Sequence, residues 1–177
     1  NNWSVQSSSS AGGTSPEMRL YWSPAFTGLT LFKSPVVNTV GRTELLLEFK
    51  HYLDHYDTPY TLGVKTSSDG ITWNTVWGVS PSANIAAETK EVIINNSDVG
   101  SPTFQFAFFF DGYIFNINYW NIDDVTLFAP EYGTLSGYVT EATRGVIEGA
   151  RVFSGSYEAF TDATGYYEIA DMLVDVY

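Results

Sequence analysis

The chain has 177 residues, 44% apolar and 16% aromatic, enough to bury a sizeable core in one or two domains. Eight basic residues against 20 acidic ones give a net charge of −12, which is repelled by phosphate backbones and anionic membranes and argues against a nucleic-acid partner. The absence of cysteine excludes a thiolate metal site, a Cys nucleophile and any disulfide. Tyr, Phe, Trp, Thr and Val are abundant and favour strands. No long window repeats apolar residues at helical spacing, so an all-β protein is expected.

Taken in order, Trp3 to Gln6 reads as a short strand, followed by a Ser run, Ala11-Gly12-Gly13 and Ser15-Pro16, which is turn chemistry. Met18, Leu20 and Trp22 alternate with Arg19 and Tyr21, so Glu17 to Ser23 is a strand with a carboxylate at its entrance. Thr30 to Lys33 is a short strand ended by Ser34-Pro35. Thr43 to Leu53 is the longest regular strand: Leu45, Leu47, Phe49, His51 and Leu53 share one face, as in an antiparallel sheet with one wet side. Tyr60 to Thr66 and Ile71 to Val79 flank Ser67-Ser68-Asp69-Gly70, a hairpin signal. Lys90 to Ile94 is a further strand.

Phe104, Phe106, Phe108 and Phe110 alternate with Gln105, Ala107 and Phe109, and Asp111-Gly112 is expected to turn the chain into a last strand reaching Leu127. After Ala129-Pro130-Glu131 the strands become shorter and the turns closer, which places a domain boundary near Pro130. The second segment is short for an independent core. There is no signal peptide and no apolar run of about 18 residues or more, and the chain reads as a fragment of a longer polypeptide with no membrane insertion.

Two resemblances follow from ordered motifs. The first set is Ala11-Gly12-Gly13 with Pro16-Glu17, Ser34-Pro35, Leu47-Glu48-Phe49, Val64 through Ser68-Asp69-Gly70 to Trp73, and Trp120-Asn121-Ile122-Asp123-Asp124-Val125. By these, residues 3 to 128 resemble the MAM-like jelly-roll modules of secreted bacterial proteins, especially the cleaved adhesin domains of gingipain-type surface proteins. The second set is Gly133-Thr134-Leu135-Ser136-Gly137-Tyr138-Val139-Thr140, Ile147-Glu148-Gly149-Ala150-Arg151-Val152 and Thr161-Asp162-Ala163-Thr164-Gly165-Tyr166-Tyr167-Glu168-Ile169. By these, residues 131 to 177 resemble the carboxypeptidase regulatory-like domain, a small prealbumin-like, Ig-like sandwich. The family's final strand is absent, so the segment is expected to be truncated. The resemblances imply a jelly roll over residues 1–130, a partial sandwich over 131–177, and a non-catalytic role; members of the first family often hold Ca²⁺ near the sandwich edge.

Glu17, Asp123 and Asp124 are the candidate metal ligands. Neighbouring first and last strands would bring Glu17 to the Asp pair, and hard carboxylate oxygens suit a structural calcium completed by backbone carbonyls. The alternative is one solvated Asp and one bonded to backbone N–H groups. His51, Asp54 and His55 are expected to be structural, since His51 and His55 on a strand lie about 13 Å apart. Ser67 to Trp73 resembles the Asp-box hairpin of sialidase propellers but occurs once, and is read as a stable hairpin. No nucleophile elbow or phosphate loop is present, so no enzyme is expected.

Tyr113, Phe115 and Tyr119, together with Tyr56 and Tyr60, are the aromatics expected near exposed loops, where they could stack on sugar rings; ordinary strand-end packing is the alternative. The leading expectation is therefore an extracellular adhesion module, secreted or on the cell surface, monomeric within a longer chain and binding a protein or matrix partner. The second is a carbohydrate-binding module attached to a polysaccharide-degrading enzyme.

Overall fold

The computed structural model describes residues 2–143 and 145–174. The chain divides into two compact units, Asn1–Ala129 and Pro130–Tyr177. Among the described residues no helix is long and apolar enough to cross a membrane.

The described residues of the first unit form nine strands: β1 (Trp3–Gln6), β2 (Glu17–Tyr21), β3 (Thr27–Lys33), β4 (Leu45–His55), β5 (Tyr60–Ser67), β6 (Asn74–Val79), β7 (Ile85–Ile94), β8 (Gln105–Tyr113) and β9 (Ile117–Phe128). They form a five-stranded sheet in the order β1-β2-β9-β4-β7 and a four-stranded sheet in the order β3-β8-β5-β6. Every pairing is antiparallel. The two sheets pack face to face as a β-sandwich.

Alternation along each strand produces this arrangement. On β4 the inward set is Leu45, Leu47, Phe49, His51 and Leu53, all buried. On β8 Phe108 and Phe110 enter from the opposite sheet. Phe49 meets Phe108 edge-on at 4.9 Å, Phe108 meets Trp120 at 6.0 Å, and Trp120 meets Trp3 at 5.9 Å. These offset and edge-on contacts are the geometries that aromatic quadrupoles favour.

His51 sits inside this core. Trp120 Nε1 donates to its Nδ1 at 3.3 Å, so the ring proton lies on Nε2, which faces Glu88 Oε1 at 3.1 Å. Burial pushes the His51 pKa down and outweighs the opposing pull of Glu88, with Lys90 adding to the fall. His55 accepts a different task, sharing a 2.8 Å hydrogen bond with the Tyr60 hydroxyl, and Asp54 accepts from Asn118.

Asp111-Gly112 does not turn the chain. Both residues continue β8, and the reversal comes three residues later in a 3₁₀ turn over Ile114–Asn116. Gly112 serves close approach instead: a Cβ there would run into Tyr60 on the neighbouring strand. Tyr60 is likewise buried rather than exposed, with its ring stacked on Phe110 at 5.1 Å. The Asp69 hairpin is a tight local network in which Asp69 Oδ1 accepts from the Ile71 and Thr72 N–H groups. These bonds hold its carboxyl at about 2.

The described residues of the second unit form three two-stranded antiparallel pairs. β10 (Tyr132–Tyr138) pairs with β15 (Tyr166–Leu173), β11 (Thr140–Glu141) with β12 (Gly145–Val146), and β13 (Arg151–Ser154) with β14 (Tyr157–Phe160). Thr161 ties its turns together, donating to the Ile147 carbonyl at 2.6 Å and accepting the Ala150 N–H at 2.8 Å. Ile169 is its one buried large apolar side chain among the described residues, while Tyr138, Phe153 and Phe160 stay exposed.

Trp120→Ala is expected to lower stability by about 3–5 kcal/mol in urea unfolding, the usual cost of emptying a large aromatic site. The folded His51 pKa lies below its ordinary value of 6.5. The unfolded chain therefore binds more protons than the folded one as pH falls through that value. Stability should be fully present above it and decline as pH drops towards the folded pKa; in His51→Gln that part of the pH slope should vanish.

Candidate functional site

Two clusters arise on the first unit, one polar and one aromatic. Both depend on β9, whose outward residues alternate with the core set. β2 pairs with β9 so that Met18 lies opposite Ile122, Arg19 opposite Asn121 and Tyr21 opposite Tyr119.

Glu17 is 1% exposed, and its carboxylate is fully engaged. Oε1 accepts from Ser8 Oγ (2.6 Å), the Ser10 N–H (3.0 Å) and Asn121 Nδ2 (2.7 Å), and Oε2 accepts the Ala11 N–H (2.8 Å). Burial alone would raise its pKa, but the hydrogen bonds from Ser8, Ala11 and Ser10, with Arg19 nearby, hold it below the ordinary carboxylate value. Glu17 thus pins the 7–16 connection onto the outer face of the five-stranded sheet. Arg19 joins the network, donating from Nε to Asn121 Oδ1 at 2.8 Å.

Asp123 and Asp124 serve different ends. Asp124 has φ of 47°, and the β4–β9 register shifts here, so the pair sits at a bulge. Asp124 bonds Lys50 Nζ at 2.7 Å across the exposed sheet face. Asp123 Oδ1 accepts the Asp124 N–H at 2.9 Å, while its Oδ2 is buried and has no hydrogen-bond partner. That orphaned oxygen lies directly against Gly13, where any Cβ would collide with it.

Of the three candidate metal ligands, then, Glu17 and Asp124 are turned to protein partners. Asp123 alone keeps a buried oxygen in want of a cation or donor. Among the described residues no three His, Cys, Asp or Glu side chains converge to hold a metal ion. The donor set fits a hard cation only with Asp123 as the single carboxylate anchor and backbone oxygens for the rest.

The aromatic cluster gathers at one end of the sandwich. Trp22 comes from the β2–β3 connection, Tyr56 from β4–β5 and Phe115 from β8–β9, while Tyr113 is the last residue of β8. Phe115 is the hub: Trp22 and Tyr56 meet it edge-on at 5.2 and 5.5 Å, and Tyr113 stacks on it at 6.0 Å. Trp22, Tyr56, Phe115 and Asn118 line an open cleft of about 190 Å³. Asn118 Nδ2 donates to Asp54 Oδ1 at 3.0 Å, which fixes the amide and leaves its carbonyl oxygen as an acceptor.

Tyr21 meets Trp22 at 5.3 Å and lies opposite Tyr119, which stacks on Tyr52 at 5.9 Å beneath the Arg19 guanidinium, 4.3 Å above its ring. The rings therefore form a strip from the sheet face to the sandwich end. Of the five aromatics expected near exposed loops, Tyr56, Tyr113 and Phe115 lie in the end cluster and Tyr119 lies on the sheet, whereas Tyr60 is buried in the core. Burial, reinforced by Asp54, raises the Tyr119 pKa. Trp22 was read from sequence only as a strand residue; the Ser23-Pro24 following it was the available signal that it leaves the sheet.

No family model matches the chain, and no curated protein matches it. Solved structures do match. The carbohydrate-binding module TmCBM61, in complex with β-1,4-galactotriose, is 15% identical with a TM-score of 0.47, over 72% of this chain and 82% of that one. A family 16 carbohydrate-binding module is 15% identical with a TM-score of 0.46, over 72% of this chain and 85% of that one. A CBM4 structure is 16% identical with a TM-score of 0.41, over 72% of this chain and 94% of that one.

Glu17→Ala should destabilise the first unit by roughly 3 kcal/mol, because buried donors on Ala11 and Asn121 lose their acceptor. The folded Glu17 pKa is depressed, so its contribution is present above its ordinary value of 4.5 and lost as pH falls through the folded pKa. Acid titration of unfolding should be shallower in the variant.

Proposed function

We propose that the first unit is a non-catalytic glycan-binding module whose binding face is the aromatic cluster around Phe115. The observation that carries this reading is the exposure of these rings: Tyr56 is 61% exposed, Tyr113 45% and Phe115 38%. An apolar patch left open to water on a soluble domain marks a contact surface. A pyranose ring offers an apolar C–H face and a rim of hydroxyls. The aromatic face carries negative quadrupole charge that attracts such C–H groups, and the Asn118 carbonyl stands ready to accept from the rim.

Of the two partner classes expected from sequence, the geometry favours the glycan over a protein or matrix partner. A cleft of about 190 Å³ between rings is on the scale of a sugar ring. A stable protein–protein contact needs about 800 Å² of surface per partner. The same reading has the module act outside the cell, secreted or at the cell surface.

A structural calcium belongs to the same proposal. Asp123 Oδ2 anchors it and oxygens of the 7–16 connection complete the set, so that the ion fastens that connection to the sheet. No role in binding sugar is assigned to it.

A glycan array should give saccharide hits that Trp22→Ala and Phe115→Ala each weaken at least tenfold, the loss of about 1.4 kcal/mol. Wild-type array signals that survive both substitutions would overturn the assignment. Melting temperature should rise on adding Ca²⁺ after chelation and stay unchanged in Asp123→Ala; no change in the wild type would remove the calcium.

A further inference from the structure

The aromatic cluster does not end at Tyr113. Asp111 precedes it by two positions on β8, and two residues of extended strand place their side chains on one face, about 6.6 Å apart. Asp111 borders a second cavity, of about 370 Å³, walled also by Pro59, Thr61, Ser80, Pro81 and Gly112. Gly112 lies against Tyr60 and Pro59, too close to carry a side chain.

The chemistry of this cavity is specific. Thr61 Oγ1 and Ser80 Oγ lie 2.9 Å apart and hydrogen-bond each other, which leaves one hydroxyl hydrogen and several lone pairs for a ligand. The two prolines supply apolar walls. Asp111 is exposed, and none of the described hydrogen bonds or ion pairs uses its carboxylate. An ionised carboxylate accepts through both oxygens at once, the arrangement that matches two neighbouring hydroxyls on a sugar ring. The same unneutralised charge repels uronate and sulfate groups.

We propose that this cavity is a second subsite, and that the ligand is a neutral oligosaccharide running from the Phe115 cluster across Tyr113 to Asp111. Asp111 accepts from a vicinal pair of hydroxyls, with Thr61 and Ser80 bonding a third. This rests on the reading of the aromatic cluster as a sugar-binding face. It adds that the ligand is a chain rather than a single sugar, and that it is uncharged.

The test is calorimetry on the whole chain with β-1,4-linked gluco-, xylo-, manno- and galacto-oligosaccharides, from disaccharide to hexasaccharide. In a series that binds, affinity should rise with length. Asp111→Asn should cut hexasaccharide affinity about tenfold, as for loss of a hydrogen bond to a charged group, and leave the disaccharide unchanged. Thr61→Val, which removes the hydroxyl and keeps the shape, should reduce the length dependence independently. Trp22→Ala should weaken every length.

If Trp22→Ala abolishes binding while Asp111→Asn and Thr61→Val match the wild type at all lengths, the second subsite is overturned and the aromatic face stands. If no series binds, or Trp22→Ala changes nothing, both readings fall. Hexalysine binding that Asp111→Asn removes, with no oligosaccharide response to that variant, would make the cavity a cation site and overturn the proposal.

Discussion

The first unit depends on the double pairing of β9. This strand is hydrogen-bonded along one edge to β2 and along the other to β4. With both edges taken, its register has no freedom to slip, and a slip of one residue would exchange its two faces. Trp120 and Ile122 therefore point into the sandwich, and Tyr119, Asn121 and Asp123 point out of it. The core, the Glu17 anchor and the aromatic strip all inherit their positions from this one constraint.

The bulge at Asp124 shows how the constraint is released locally. Asp124 adopts left-handed backbone, which Asp tolerates better than most residues through local hydrogen bonding. The neighbouring Asp123 Oδ1 caps its N–H. Adjacent acids in a strand look at first like a ligand pair, but here one carboxylate shapes the backbone and the other reaches Lys50. The buried Asp123 Oδ2 is what distinguishes this corner from an ordinary bulge.

Much of the fold was legible because alternation reports it directly. Leu45 to Leu53 and Phe104 to Phe110 display period two with apolar residues at every inward position except His51, and they supply most of β4 and β8. What alternation does not carry is the purpose of a glycine. Asp111-Gly112 has turn composition, yet its glycine answers a tertiary demand, the close passage of Tyr60, which only the folded neighbour imposes. The same limit hid Glu17's role: nothing local says that its carboxylate will be met by Ser8, Ser10, Ala11 and a side chain 104 positions away. In the aromatic site, Tyr113 and Phe115 were visible by their position beside an expected turn. Trp22 was not, because the cluster joins three connections far apart in sequence.

Trp22, Tyr56 and Phe115 of the aromatic cluster are borne by connections, and Tyr113 by the end of β8, whereas the interlocked rings of the core are borne by strand interiors. On the binding reading proposed above, the residues that would meet a ligand and the residues that hold the core are thus largely different residues. New ring sizes or polar groups can be tried at positions 22, 56 and 115 with little disturbance of the sheets beneath. Such separation would leave the architecture free to diversify its targets while its stability stays nearly constant.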